Sequence, residues 1–308
     1  MPRSLASADL AFRRLAAVTT AVSLTLGPAT TGAQTLDWGP VDSLLARPGT
    51  MQDGGVRRWS MPRTDLRVVV DGVQLRPAFA LGSWLSMLPH EGGVMAMGDL
   101  VVRDDELNPV LSALQEGGVE QTAIHHHVIR ESPRILYVHV HGHGDPRTIA
   151  RAVRLALART ATPPAVPSPA PPPALELDTM AVNTILGHRG RANGGVWQVT
   201  VPRVEVLRES GVELPASMGM GTVINFQPTG NGRAAITGDF VLVSNEVNRV
   251  LRALRRANIE VTSLHNHLLH DEPRLFFMHF WAHDDALMLA RALRDALAET
   301  NSRPPRPE

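Results

Sequence analysis

The chain is written twice, and that limits what it can fold into. Residues 36–159 and 177–299 align along their whole length at an offset of about 140. Leu36-Asp37 matches Leu177-Asp178, and Gly54-Gly55-Val56 matches Gly194-Gly195-Val196. Met61-Pro62-Arg63 matches Val201-Pro202-Arg203, and Gly98-Asp99-Leu100 matches Gly238-Asp239-Phe240. The final third is clearest, with Thr122-Ala123-Ile124-His125-His126-His127 against Thr262-Ser263-Leu264-His265-Asn266-His267. The period far exceeds the 20–50 residues of a solenoid, so each copy is a domain-sized unit. Five segments follow. Residues 1–33 are expected to be a signal peptide and 34–160 the first copy. A Pro-rich linker spans 161–176, the second copy 177–300, and 301–308 is a proline-containing tail expected to fray.

The expected signal has Arg13 and Arg14 before a short apolar stretch at 15–26, with Thr31-Gly32-Ala33 ahead of a cut at Gln34. A periplasmic or secreted protein is expected. The apolar stretch is too short to span a bilayer, and no later segment reads as transmembrane.

Composition narrows the chemistry. Hydrophobic residues make up 44% and charged residues 19%, enough to build a core in each copy. The formal net charge is zero, so the electrostatic footprint of a nucleic-acid binder is missing. All 30 basic residues are Arg, which excludes Schiff-base lysine chemistry and a P-loop Lys. With no Cys, disulfides, thiolate metal sites, cysteine nucleophiles and a lipidated Cys are excluded. There is no Gly-x-Ser-x-Gly, Ser-x-x-Lys or His-Glu-x-x-His, and no dinucleotide-binding glycine fingerprint after a strand. Thirteen His leave imidazole as the functional group to follow.

Periodicity predicts an α+β fold for each copy, a mainly antiparallel sheet with helices on one face. A short helix is expected at 41–46 and 182–186. Strands are expected at 57–70, 78–88 and 93–102, with counterparts at 196–207, 219–227 and 232–243. Asp104 or Ser244 is expected to cap a helix running to Glu116 or Ala257. Strands at 119–128 and 134–142 and a last helix at 145–159 (284–299 in copy two) complete the unit. The nearest common arrangement is ferredoxin-like.

Strand alternation then sorts the histidines. In the last strand Leu136, Val138 and Val140, with Phe276, Met278 and Phe280 in copy two, take the helix-covered face. The opposite parity carries Tyr137, His139, His141 and His143, and Phe277, His279, Trp281 and His283. In the preceding strand Ile124 and Leu264 take core parity, and His125, His127, His265 and His267 take the other. The two strands should pair about 4.8 Å apart. His125, His127 and His139 would then converge on one hairpin face, and His265, His267 and His279 would do the same. Such a cluster suits a transition metal, Zn or Cu. The alternative is a set of ordinary polar residues with local partners. Glu131 and Asp271 are candidates for a fourth ligand or a general base, or are solvated turn carboxylates. Arg134 and Arg274 are expected to pair with them or with an anion. Asp99 and Asp239 are expected to shape a turn or bulge. His126, replaced by Asn266, is expected to have no shared role. The spacing His125-x-His127-x3-Glu131 also matches the first metal motif of cupins, but the predicted helices argue against a β-barrel.

The stretches Gly194-Gly195-Val196-Trp197, Ile224-Asn225-Phe226-Gln227-Pro228-Thr229-Gly230, Gly238-Asp239-Phe240-Val241 and Leu264-His265-Asn266-His267 resemble the LppY/LpqO family. Pro273-Arg274-Leu275-Phe276-Phe277-Met278-His279-Phe280-Trp281-Ala282 extends that resemblance. This is a family of exported bacterial proteins, domain-of-unknown-function family 1259. It implies export and a tandem architecture, and no activity. The leading expectation is an exported two-copy protein that binds a metal ion or small ligand. The alternatives are a metal-dependent hydrolase and a non-catalytic cell-envelope binding module.

Overall fold

Each copy folds the pattern just described into one sheet with its helices packed on a single face. The computed structural model describes residues 36–165 and 174–304. The expected signal peptide, the centre of the linker and the last four residues lie outside the described residues.

In copy one the helix Gly39–Leu45 leads to strands Arg57–Pro62, Gly82–His90 and Gly93–Arg103, then helix Leu107–Glu116. Strands Glu120–His125 and Ile135–Gly144 and helix Pro146–Leu157 follow. Copy two repeats this with Thr179–Leu186, Val196–Pro202, Gly221–Gly230, Arg233–Val243, Ser244–Arg256, Glu260–His265, Leu275–Asp285 and Ala286–Leu297. With the edge strand Thr50–Met51 in copy one and Gly190–Asn193 in copy two, each copy's sheet has six strands, and every neighbouring pair in it is antiparallel. Its last four strands lie in the order first, second, fourth, third. That is the ferredoxin-like order with its final strand moved to the front of the chain. The cupin-like barrel does not form.

Several boundaries differ from expectation. The strand predicted over 57–70 stops at Pro62, and that over 196–207 stops at Pro202. Beyond each proline an arginine turns inward and ends the strand. Arg63 is fully buried and pairs with Glu106 at 2.7 Å and Asp65 at 2.9 Å. Arg203 pairs with Glu246 at 2.7 Å and Glu205 at 2.8 Å. The N-cap positions are Glu106 and Val243 rather than Asp104 and Ser244. Glu106 accepts from the Arg103 N–H and Glu246 from the Val243 N–H, both at 2.9 Å. Residues 78–80, expected in a strand, lie in a helical turn, Pro77–Ala80, opened by Pro77. The start of the tail is docked rather than frayed. Asn301 donates its N–H to Glu246, and Arg303 donates its N–H to Pro202 at 2.8 Å.

The helix-facing core of copy two is built from Ile236, Phe240, Met278 and Phe280 against Leu254 and Leu293. In copy one Leu100, Val138 and Val140 are buried, as are Leu114 and Val153. The opposite faces of the two sheets meet each other, and Asp37–Glu308 cluster as one unit. Each copy reaches across. Val68, Leu75 and Phe79 share a core with Val196, Ala235 and Trp281. Leu207, Leu214 and Met218 share one with Val56, Met95 and Met97. The Gln227 side chain accepts from the Arg76 N–H and donates to the Gln74 carbonyl, both at 2.8 Å. Ser217 donates to the Asp53 carbonyl at 2.7 Å.

Candidate metal centre

Register brings the histidines together. Asp99 lies opposite His139, and Ala123 lies opposite His139 on its other side. In copy two Asp239 and Ser263 flank His279 in the same way. A bulge in the edge strand, between Gln121 and Ala123 and again between Val261 and Ser263, sets this register. His125 then faces the same way as its partner Tyr137. His127 lies just past the strand, its ring 3.4 Å from that of Tyr137, as His267 stacks on Phe277 at 3.5 Å.

Within a copy the rings lie 4.9 Å apart for His125 and His139, and 5.0 Å for His265 and His279. Between copies they are closer still. His125 stacks on His265 at 3.7 Å, His139 on His267 at 3.7 Å, and His127 on His279 at 4.0 Å. All six histidines named from sequence therefore meet in one interface. Ligand atoms converge within 4.8 Å of one another in four sets. These are His125, His139, His265 and His267; His125, His127 and His279; Asp99, His127 and His139; and Asp239, His267 and His279.

The Nε2 atoms of all six are buried with no hydrogen-bond partner. In several rings the other nitrogen is tied down. His279 Nδ1 lies 2.8 Å from the Gly238 carbonyl, which fixes the proton on Nδ1 and leaves the Nε2 lone pair free. His265 Nδ1 lies 2.9 Å from Ser263 Oγ. An outer partner on one nitrogen and a free lone pair on the other is the arrangement of a metal-ligating imidazole. The six rings resist protonation. Burial, with the neighbouring His265, lowers His139 to about 3, and burial lowers His265 to about 4. His125, His127, His267 and His279 are lowered further, by burial first and by their neighbouring imidazoles second.

Asp99 and Asp239 were expected to shape a turn or bulge. Instead the ladder runs unbroken through both, and both enter the cluster. Their glycine neighbours explain the pairing. A Cβ on Gly238 would lie 2.0 Å from the Val223 carbonyl oxygen and 2.8 Å from the Phe280 ring, so the strand packs closely there and the next residue faces the histidines. Asp99 Oδ2 is 3.6 Å from His127 Nε2 and 3.9 Å from His139 Nε2, too far for hydrogen bonds. Burial raises Asp99 to about 7 against the pull of Arg58. Burial, then the charge of Asp99, raises Asp239 well above the usual carboxylate range. The one sequence signal for these residues was the repeated Gly-Asp pair.

Glu131 and Asp271 stand outside the four converging sets, and neither is solvated. The Asp271 side chain is fully buried, accepting from Arg274 at 2.7 Å and from the Leu275 N–H. Glu131 is similarly covered and accepts from the Ile135 N–H at 3.4 Å. Both brace the hairpin. Arg274 pairs as expected, but Arg134 instead reaches His126 Nε2 at 3.0 Å and Asp104 at 3.8 Å. His126 and Asn266 do share a role, since each side chain bonds the carbonyl of the facing strand, Ile135 or Leu275. Ile124 and Leu264 pair with core residues Val138 and Met278, yet each is nearly half exposed on the edge strand.

The two ends of the interface differ. At one, Arg130 bridges Asp71 at 2.9 Å and Glu260 of the other copy at 2.7 Å, and the Trp281 indole donates to Asp71 at 3.0 Å. The repeat-equivalent positions hold His270, Ser210, Glu120 and His141. His141 is buried, and its Nδ1 lies 3.5 Å from Glu120.

The family model described as Domain of Unknown Function (DUF1259) matches this chain twice, over residues 39–159 and 180–299. The chain belongs to that family. The two DUF1259 copies coincide with the two sheets whose opposed faces carry the histidines. Comparison with curated proteins gives no significant match. Among solved structures, the chain is similar to a trimeric bacterial microcompartment shell protein, PduB. Identity is 10% over 84% of this chain and 97% of that one, at a TM-score of 0.23. EtuB from Clostridium kluyveri gives 10% identity over 81% and 90%, at a TM-score of 0.19. Among the described residues, no helix is long and apolar enough to cross a membrane.

Proposed function

We propose that this tandem DUF1259 protein is an exported metal-binding protein that holds Zn or Cu between its two copies. One observation carries the reading: six buried imidazole Nε2 atoms converge from both copies, and none has a hydrogen-bond partner. Burying that many unsatisfied groups costs about 1–3 kcal/mol each. A metal ion uses the same lone pairs as ligands and removes the cost. The donor set is imidazole and carboxylate without thiolate, which suits Zn, Cu(II), Fe or Ni. Export is supported by the sequence of residues 1–33 alone. A hydrolytic role has less support, because the carboxylates considered as general bases, Glu131 and Asp271, brace the hairpin instead.

The test is metal analysis. The chain is stripped with chelator, exposed to Zn(II) or Cu(II), desalted and assayed by elemental mass spectrometry, with thermal unfolding followed in parallel. Retained metal and a raised Tm are expected. Both should be lost together in a His139→Ala/His279→Ala variant that keeps its circular dichroism. A wild-type chain that retains no ion and gains no stability would overturn the reading.

A further inference from the structure

We propose that the interface takes two metal ions rather than one, one anchored by Asp99, His127 and His139 and the other by Asp239, His267 and His279. This rests on the metal-binding reading above and goes beyond it in number and in ligand assignment. Each anchoring set converges within 4.8 Å. Each comes from a single copy, and the two are repeat equivalents residue for residue.

Counting ligands excludes a single ion. Six imidazoles and two carboxylates converge in the interface, whereas a first-row ion in such a site takes four donors and at most about six. An ion in the four-histidine set of His125, His139, His265 and His267 leaves His127, His279 and both aspartates buried without partners. An ion in one aspartate set strands the other copy's set entirely. Two ions engage both sets. His125 and His265, stacked at 3.7 Å, then supply a further donor from each copy, and His125 converges with residues of both anchoring sets. Two histidines and one carboxylate also form a ligand set known to leave coordination positions open. That accommodates the extra imidazole. The buried oxygens Asp99 Oδ1 and Asp239 Oδ1 belong to the same account, since each lacks a hydrogen-bond partner.

Stoichiometry decides the matter. Chelator-stripped chain is titrated with Zn(II) to saturation, desalted, and its bound zinc measured against protein concentration. Two ions per chain are expected for the wild type. One is expected for Asp99→Asn and one for Asp239→Asn, each with unchanged circular dichroism. A wild type that saturates at one ion overturns this proposal and leaves the metal-binding reading intact. A wild type that binds none overturns both. Loading with Cu(II) gives a readout that needs no variant. Electron paramagnetic resonance of the saturated chain should show magnetic coupling between neighbouring ions, and a full-intensity spectrum of isolated ions would overturn the proposal.

Discussion

Asp99 and Asp239 show how far a residue's chemistry can depart from what its immediate sequence suggests. A carboxylate beside a strand glycine reads locally as part of a turn. Here the ladder stays in register, and the carboxylate is sealed among imidazoles. The histidines were legible because alternation along one strand is a local property. The aspartates were not, because they sit on Gly93–Arg103 and Arg233–Val243, whose pairing with the histidine strand is set by the tertiary fold. Outer partners should matter as well. Ser263→Ala removes the group holding His265 Nδ1 and should weaken metal affinity about 10–100-fold, as read by competition with a chromogenic chelator. His265→Ala should weaken it more.

Protonation gives a second prediction at this scale, for the chelator-stripped protein. The six imidazoles are neutral when folded and titrate near 6.5 when unfolded, so their contribution is present above about pH 6.5 and is lost as pH falls below it toward the folded values, about 4 for His265 and about 3 for His139. Asp99 and Asp239 act in the opposite sense. Raised in the folded state, they contribute stability below about pH 4 that is lost as pH rises through the folded values, about 7 for Asp99. Six imidazoles outweigh two carboxylates, so stability should fall from pH 6.5 to 4. Urea midpoints that stay flat or rise over that range would contradict this.

At the scale of elements, the pattern of helices and strands was readable from periodicity, while the ends of the strands were not. Pro62 and Pro202 mark where each strand stops. The deeper reason is that Arg63 and Arg203 leave the sheet to meet a glutamate on the next helix. A local window contains only one member of that pair. The pair also makes a prediction. Glu246→Ala takes from the buried Arg203 the more buried of its two carboxylate partners and removes the acceptor of the Val243 N–H at the start of Ser244–Arg256, and should cost about 3 kcal/mol in urea unfolding. By contrast Arg130→Ala, which opens an ion pair whose members are all substantially exposed, should cost less than about 1 kcal/mol. Equal losses in the two variants would show that burial is not what separates them.

At the scale of the whole molecule, sequence displayed two copies but not their embrace. Nothing in either copy's periodicity says that the histidine faces oppose each other, because that depends on segments of each copy packing into the other. Val68 to Leu81 and Leu207 to Met220 supply those crossings. If they hold the halves together, a protease site placed within residues 166–173 should yield two fragments that still co-elute on size exclusion. Separate elution of the fragments would count against it.

The covalent join between the copies also has a consequence for where such a protein can work. A centre whose ligands come from two separate chains dissolves on dilution, because its assembly is bimolecular. Here both halves of the ligand set lie on one polypeptide, so their encounter is governed by a fixed effective concentration. Under the proposed metal binding, occupancy would respond to free ion and pH, and not to how much of the protein is present.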